Sequence, residues 1–251
     1  MEKKANILVV DDEESVRITL SEILRLEGYS VATASSGLNA IDIIKVESFD
    51  AVILDIKMPK LNGVETFREI KKISPETIVV MMTAHAVDEL IAEAIKEGAC
   101  GIIYKPLDFD QIFAIFEKNL NKTFILLVDD EEGIRETLSH FLKDMGYRVV
   151  KATSGKEAIA ILDRKVPDVL ILDVKMEDID GVETLKKINK VIPGSQKMVT
   201  IMISGYDVND KIKEAEKLGA KAFFPKPIDI KKLKASIDKL LKKKKKGERE
   251  V

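Results

Sequence analysis

The chain repeats itself once, and no other feature constrains its fold as much. ILVVDDEE at residues 7–14 returns as ILLVDDEE at 125–132, an offset of 118. The same offset carries Gly28-Tyr29 onto Gly146-Tyr147 and Ser36-Gly37 onto Ser154-Gly155. It also carries Ile53-Leu54-Asp55 onto Ile171-Leu172-Asp173, and Gly63-Val64-Glu65-Thr66 onto Gly181-Val182-Glu183-Thr184. Beyond Pro75 and Pro193 the offset becomes 121, so that Gly98-Ala99 maps to Gly219-Ala220 and Lys105-Pro106 to Lys226-Pro227. Three residues are therefore inserted around 194–197. A period this long marks a duplicated domain rather than a solenoid, and 251 residues suit two domains of about 120. The expected division is 1–121, 122–242 and a charged C-terminal tail at 243–251. Only residues 121–123 separate a helix from a strand at the junction, which predicts a restricted mutual orientation of the halves.

Each half alternates strand and helix patterns. Residues 7–10 are a short aliphatic run ending in acid, the signature of a buried parallel strand. Val16, Leu20, Ile23 and Leu24 then fall on one helical face, and Gly28 stops that helix. Strands are predicted at 31–33, 51–54, 78–82 and 102–104. Helices are predicted at 38–46, after Asn62-Gly63, along Val87, Leu90, Ile91, Ala94 and Ile95, and along Phe109, Ile112, Phe113, Phe116 and Leu120. The second half repeats the scheme and ends on Ile230, Leu233, Ile237 and Leu240. Five such units predict an α/β domain, an open parallel sheet covered on both faces.

Composition narrows the setting. Hydrophobic residues make up 45% and aromatics 5%, with no Trp, so aliphatic side chains must fill the cores. A lone cysteine, Cys100, rules out a disulfide framework within the chain and fits a reducing, cytoplasmic compartment. Cys100 itself is expected to be a small buried filler. Met81, Met82, Met198 and Met202 are expected in strand cores. His140 is expected on a helix surface at 131–145. No run approaches the ~20 apolar residues of a membrane span, and the N-terminal apolar run is too short for a signal peptide. The halves differ in charge: residues 1–121 hold 13 basic and 21 acidic residues, net −8, and 122–251 hold 28 and 22, net +6. Opposite signs could draw the halves together, and the lysines at 242–246 inflate the second figure. This basic tail is read as a solvated terminus rather than a nucleic-acid site.

In an open parallel sheet, ligands gather at the carboxyl ends of the strands. Asp11 and Asp12 end the first strand, Asp55 the third, Thr83 the fourth and Lys105 the fifth. Asp129, Asp130, Asp173, Ser204 and Lys226 stand at matching places in the second half. Singly these are an N-cap pair, a strand end and a turn lysine. Together, in the same order twice, they predict a site. Three close carboxylates repel unless a cation intervenes, and an oxygen-only set selects a hard ion, with Mg²⁺ the cellular candidate. A lysine and a hydroxyl beside them suit in-line phosphoryl transfer to a carboxylate nucleophile.

With VDDE, LDIKMP, MTA and YKP in this order, the chain resembles the receiver domain of bacterial two-component response regulators over both halves, nearly residues 5–121 and 123–242. The resemblance implies two flavodoxin-like (βα)5 doubly wound domains with strand order 2-1-3-4-5 in each. It implies that Asp55 and Asp173 are the phosphoacceptors. Asp12 and Asp130 would be direct Mg²⁺ ligands, with Asp11 and Asp129 acting mostly through water. The backbone carbonyls of Lys57 and Lys175 would be further ligands. Thr83 and Ser204 would be switch hydroxyls, and Lys105 and Lys226 would pair with the phosphoryl group. The implied partners are a histidine kinase or a histidine phosphotransfer protein and a downstream protein target. A homodimer or interdomain contact would use the fourth helix, fifth strand and fifth helix. With fewer than 15 residues after the last apolar helix position, no helix-turn-helix fits, so output is expected through protein contacts.

Three departures separate the halves. The aromatic switch position, three before the lysine, holds Ile102 in the first and Phe223 in the second. Pro59 becomes Glu177, adding negative charge. Thr83-Ala84-His85 becomes Ser204-Gly205-Tyr206, where Gly205 loosens the loop and His85 and Tyr206 would influence water access. The two acyl phosphates are accordingly expected to differ in lifetime. The competing readings are a Mg²⁺-dependent aspartyl-nucleophile phosphatase and a non-phosphorylated receiver-like scaffold. A phosphatase would place adjacent-but-one acids on the first strand and add a cap, and neither pattern is seen in the sequence.

Overall fold

A computed structural model describes residues 4–84, 88–205 and 209–247. The chain divides into two compact units, Met1–Asn121 and Lys122–Val251. In the first unit, β1 (Asn6–Val10), β2 (Ser30–Ala34), β3 (Ala51–Asp55), β4 (Ile78–Thr83) and β5 (Gly101–Tyr104) alternate with α1 (Glu14–Leu26), α2 (Gly37–Val46), α3 (Gly63–Ile73), α4 (Asp88–Lys96) and α5 (Phe109–Leu120). The second repeats this with β6 (Phe124–Val128), β7 (Arg148–Ala152), β8 (Val169–Asp173), β9 (Val199–Ser204) and β10 (Ala222–Pro225). Its helices are α6 (Glu132–Asp144), α7 (Gly155–Arg164), α8 (Gly181–Val191), α9 (Asn209–Lys217) and α10 (Ile230–Gly247). The sheets are parallel, ordered β2-β1-β3-β4-β5 and β7-β6-β8-β9-β10, the predicted order in both halves.

Strand alternation explains the two-sided cover. Leu8, Val10, Val52, Leu54, Val79 and Met81 face one way and pack with Ala40, Ile44, Phe67, Ile70 and Ala94 of α2, α3 and α4. Ile7, Val9, Ile53, Val80, Met82 and Ile103 face the other way and pack with Leu20, Leu24, Ile112 and Phe116 of α1 and α5. The second unit shows the same division. Because both faces are buried, the central strands read as unbroken apolar runs rather than alternating ones. Met81, Met82, Met198 and Met202 are core residues. The three-residue insertion forms a 3-10 turn, Ser195–Lys197, entered through Gly194 at φ 79 in the left-handed region.

Two sequence expectations need comment. Cys100 is exposed, not a buried filler. It lies just before β5, its N–H donates to Val79 O at 2.8 Å, and the buried position in that segment is Ala99. The residues at 243–247, assigned to a tail, continue α10. His140 is exposed, as expected. No helix among the described residues is long and apolar enough to cross a membrane.

One close approach locks the third helix onto the sheet edge in each unit. The Gly63 N–H donates to Ile56 O and the Gly181 N–H to Val174 O, both at 2.9 Å. A Cβ on Gly63 would lie 2.3 Å from Asp55 O, and one on Gly181 would lie 2.0 Å from Asp173 O. Both obstacles are backbone, so no side-chain rotation relieves them. Gly181→Ala is expected to destabilise the second unit by about 1–3 kcal/mol through overpacking. Urea unfolding compared with the parent chain checks this, and an unchanged midpoint would contradict the packing argument.

Candidate functional site

The strand register assembles each site. Val10 pairs with Leu54, and Asp55 pairs with Met82. Thr83 pairs with Tyr104, so Asp11, Asp55, Thr83 and Lys105 meet at the carboxyl edge of four adjacent strands. In the second unit Val128 pairs with Leu172, Asp173 with Ile203, and Pro225 with Ser204, bringing Asp129, Asp173, Ser204 and Lys226 to the same edge. Asp11, Asp55, Thr83, Asp129, Asp173 and Ser204 are all buried.

Lysine supplies the positive charge at each site. Lys105 Nζ lies 2.8 Å from Asp11 Oδ2, 3.0 Å from Asp55 Oδ1 and 3.6 Å from Glu13 Oε1. Lys226 Nζ lies 2.9 Å from Asp129 Oδ2, 3.3 Å from Asp173 Oδ1 and 3.0 Å from Glu131 Oε1. Buried charges survive only when paired, and each ammonium serves two buried carboxylates. Burial pushes the Asp55 carboxyl up to about 6; Lys105 opposes the shift and Asp11 reinforces it. Burial likewise pushes Asp173 up to about 6, against the pull of Lys226. Although burial alone would lower them, the carboxylates hold both lysines above the usual ammonium range, so both stay protonated.

The turn that carries the paired acids is braced from the first helix. The Glu13 N–H donates to Asp11 Oδ1 at 2.8 Å, and the Glu131 N–H to Asp129 Oδ1 at 2.9 Å. Arg17 donates through Nη1 to the carbonyls of Asp11 and Asp12 at 2.7 and 2.9 Å. Arg135 does the same to Asp129 and Asp130 at 2.7 and 3.1 Å. These two arginines are absent from the sequence-predicted site. The 118-residue offset that relates them is the signal in the sequence that points to them.

The other predicted residues take varied positions. Asp12 is exposed, whereas Asp130 is partly buried. The ligand oxygens of Asp129, Asp130 and Asp173 lie within 4.8 Å of one another, the sole such group of acids among the described residues. Asp129 Oδ2 and Asp173 Oδ1 are buried without a well-aligned hydrogen bond and meet Lys226 only as ion pairs. An all-oxygen set with buried oxygens to spare fits a hard divalent cation. The Lys57 N–H bonds the Asp55 carboxylate, and the Lys57 and Lys175 side chains are exposed. The Ser204 hydroxyl donates to Gly205 O at 2.6 Å. Ile102 and Phe223 are partly buried against the apolar clusters under α4 and α9. His85 and Tyr206 lie outside the described residues.

Comparison with known proteins agrees with this geometry. The sequence model of the response regulator receiver domain matches residues 7–117 and again 125–238. The transcriptional regulatory protein ZraR of Escherichia coli O157:H7 is 41% identical over 136 residues, covering 54% of this chain and 30% of that protein. Sporulation initiation phosphotransferase F of Bacillus subtilis strain 168 is 39% identical over 114 residues, covering 45% of this chain and 92% of that protein. A response regulator receiver protein of Anaeromyxobacter sp. strain Fw109-5 is 26% identical over 233 residues, covering 93% of this chain and 94% of that protein. The chain thus spans about a third of the length of the ZraR regulators it matches.

The raised carboxyls carry a stability cost with a definite sign. Each folded-state value near 6 exceeds the ordinary 3.8, so the folded chain holds extra protons between those values. The associated stability is fully present below pH 3.8 and is lost as pH rises through about 6. Without divalent cations, Asp55→Asn and Asp173→Asn should each raise stability at pH 7.5 by about 1–2 kcal/mol, a discounted conversion of the shift. They should also flatten the fall between pH 4 and 7. Urea midpoints against pH in chelator test this; a variant less stable than the parent at pH 7.5 would refute it.

Proposed function

Given that the chain belongs to the response regulator receiver domain family of two-component systems, we propose that it accepts phosphoryl groups on Asp55 and Asp173. The observation that carries this reading is the pairing of a buried strand-end aspartate with a protonated lysine, made twice with the same residues. Each aspartate is the nucleophile, attacking phosphorus in line to form an acyl phosphate while the donor's nitrogen–phosphorus bond breaks. A Mg²⁺ ion, held by Asp11, Asp12 and Asp55 in one unit and Asp129, Asp130 and Asp173 in the other, with the Lys57 and Lys175 carbonyls, would neutralise phosphoryl charge.

The chain's own groups do the rest. Lys105 and Lys226 sit 3.0 and 3.3 Å from the nucleophilic carboxylates and would move onto a phosphoryl oxygen once the aspartate is esterified. Thr83 and Ser204, buried at the ends of β4 and β9, offer hydroxyls to another oxygen. Recruiting them would pull on the loops leading into α4 and α9. Phe223, on the strand beside Ser204, would follow with its ring, and Ile102 would give the first unit a different response. Arg17 and Arg135 hold the acidic turns in place throughout.

The proposed donors are a histidine kinase or a histidine phosphotransfer protein in the cytoplasm. Output within these 251 residues runs through contacts of the receivers with a downstream protein. The chain acts as a phosphoacceptor that takes part in its own phosphorylation and dephosphorylation, not as a turnover enzyme. The similarity to a sporulation phosphotransferase supports a relay role for at least one unit.

Intact mass after incubation with Mg²⁺ and acetyl phosphate tests the reading. The parent chain should gain two phosphoryl groups, and Asp55→Asn and Asp173→Asn should each gain one. A gain lost in a single variant would leave one working receiver. No gain in any chain would overturn the proposal.

A further inference from the structure

Among the differences between the two sites, one beside the acids lies in the backbone. Residue 59 is Pro, and the 118-residue offset places Glu177 there in the second unit. Proline has no backbone N–H. The Glu177 N–H donates to Asp130 Oδ2 at 2.9 Å. Asp130 is partly buried and joins Asp129 and Asp173 within 4.8 Å, whereas Asp12 is exposed and joins no such group among the described residues.

The lysines differ in the same sense. Lys105 is 3.0 Å from Asp55 and 3.6 Å from Glu13, while Lys226 is 3.3 Å from Asp173 and 3.0 Å from Glu131. Lys226 is shared outward toward glutamate, and Asp129 Oδ2 and Asp173 Oδ1 are left without a hydrogen bond. The second unit therefore gathers three carboxylates around one ammonium that also serves Glu131, an arrangement suited to a cation.

We propose that the backbone N–H of Glu177 is a positioning group that pre-forms the divalent-cation site of the second unit. That site is the tighter of two, and Pro59 leaves the first to assemble only as the cation arrives. The inference rests on the receiver reading above and adds to it an order of loading. A site already gathered gives up less freedom on binding than one that must be gathered. The Glu177 side chain also adds charge, but it is exposed and screened. The amide and the charge are separable, because alanine keeps the N–H and proline removes it.

Mn²⁺ binding to the full chain, counted by electron paramagnetic resonance without phosphodonor, tests the proposal. The parent should show a tighter and a weaker site, with Asp130→Asn abolishing the tighter. Glu177→Pro should weaken the tighter site on the order of tenfold, the value of one hydrogen bond to a charged group. Glu177→Ala should leave it within about twofold, since screened surface charges contribute little. Pro59→Ala should strengthen the weaker site. Melting temperatures check the fold, and proline at 177 is the residue that the first unit already accommodates. Equal losses in Glu177→Pro and Glu177→Ala, or two equal sites in the parent, would overturn the inference and leave the receiver reading standing. No Mn²⁺ binding at all would overturn both the inference and the cation part of that reading.

Discussion

Placing two carboxylates at the buried end of a parallel sheet is costly, and the lysine between them is what makes it tolerable. Asp11 and Asp129 are fully buried, and Asp55 and Asp173 nearly so. Unpaired, such groups would be protonated or would expel the strand ends from the core. Lys105 and Lys226 reach them only because each fifth strand runs beside the fourth and ends level with Thr83 or Ser204. The strand order therefore determines the electrostatics. A sheet with the first strand at its edge would leave the paired acids too far from this lysine.

The rest of the fold keeps that arrangement from relaxing. Gly63 and Gly181 let the third helix of each unit touch the backbone of the strand-end aspartate, where any side chain would collide. Gly37 and Gly155 perform a similar service one layer out, with Thr66 Oγ1 and Thr184 Oγ1 occupying the space of a Cβ. Arg17 and Arg135 satisfy the carbonyls of the acidic turns without touching the carboxylates, so they fix geometry while leaving the charge to the lysine. The site is held by backbone contacts from three directions, and the side chains that would do chemistry are free to exchange partners.

Much of this was legible in the sequence. Aliphatic runs that end in Asp55 and Asp173 announce both a buried strand and a polar group at its tip. The offset of 118 showed which polar groups recur, and its lengthening to 121 located the turn at Ser195–Lys197. What escaped were features carried by backbone rather than by side-chain type. Replacement of Pro59 by Glu177 reads as a gain of charge, but the contact it makes is through an amide hydrogen. Arg17 and Arg135 escaped because periodicity does not reveal that a long side chain folds back onto the preceding turn. Cys100 was misplaced because residue type suggests burial, while the strand start puts its neighbour Ala99 inward.

The same electrostatics gives the duplication a rationale. A carboxyl held near 6 is poorly matched to its surroundings at neutral pH, and anything that adds positive charge or spreads the negative charge relieves it. A cation and a phosphoryl ester do so in different ways, so a receiver without either is poised rather than settled. Duplicating such a unit gives two poised sites in one chain, free to diverge in how readily each is relieved. Small backbone changes suffice, because at a buried acidic cluster one hydrogen bond shifts the balance between lysine and cation. The contrast between Pro59 and Glu177 is a change of this size, placed where it acts on loading without disturbing the nucleophile, the lysine or the strands that hold them.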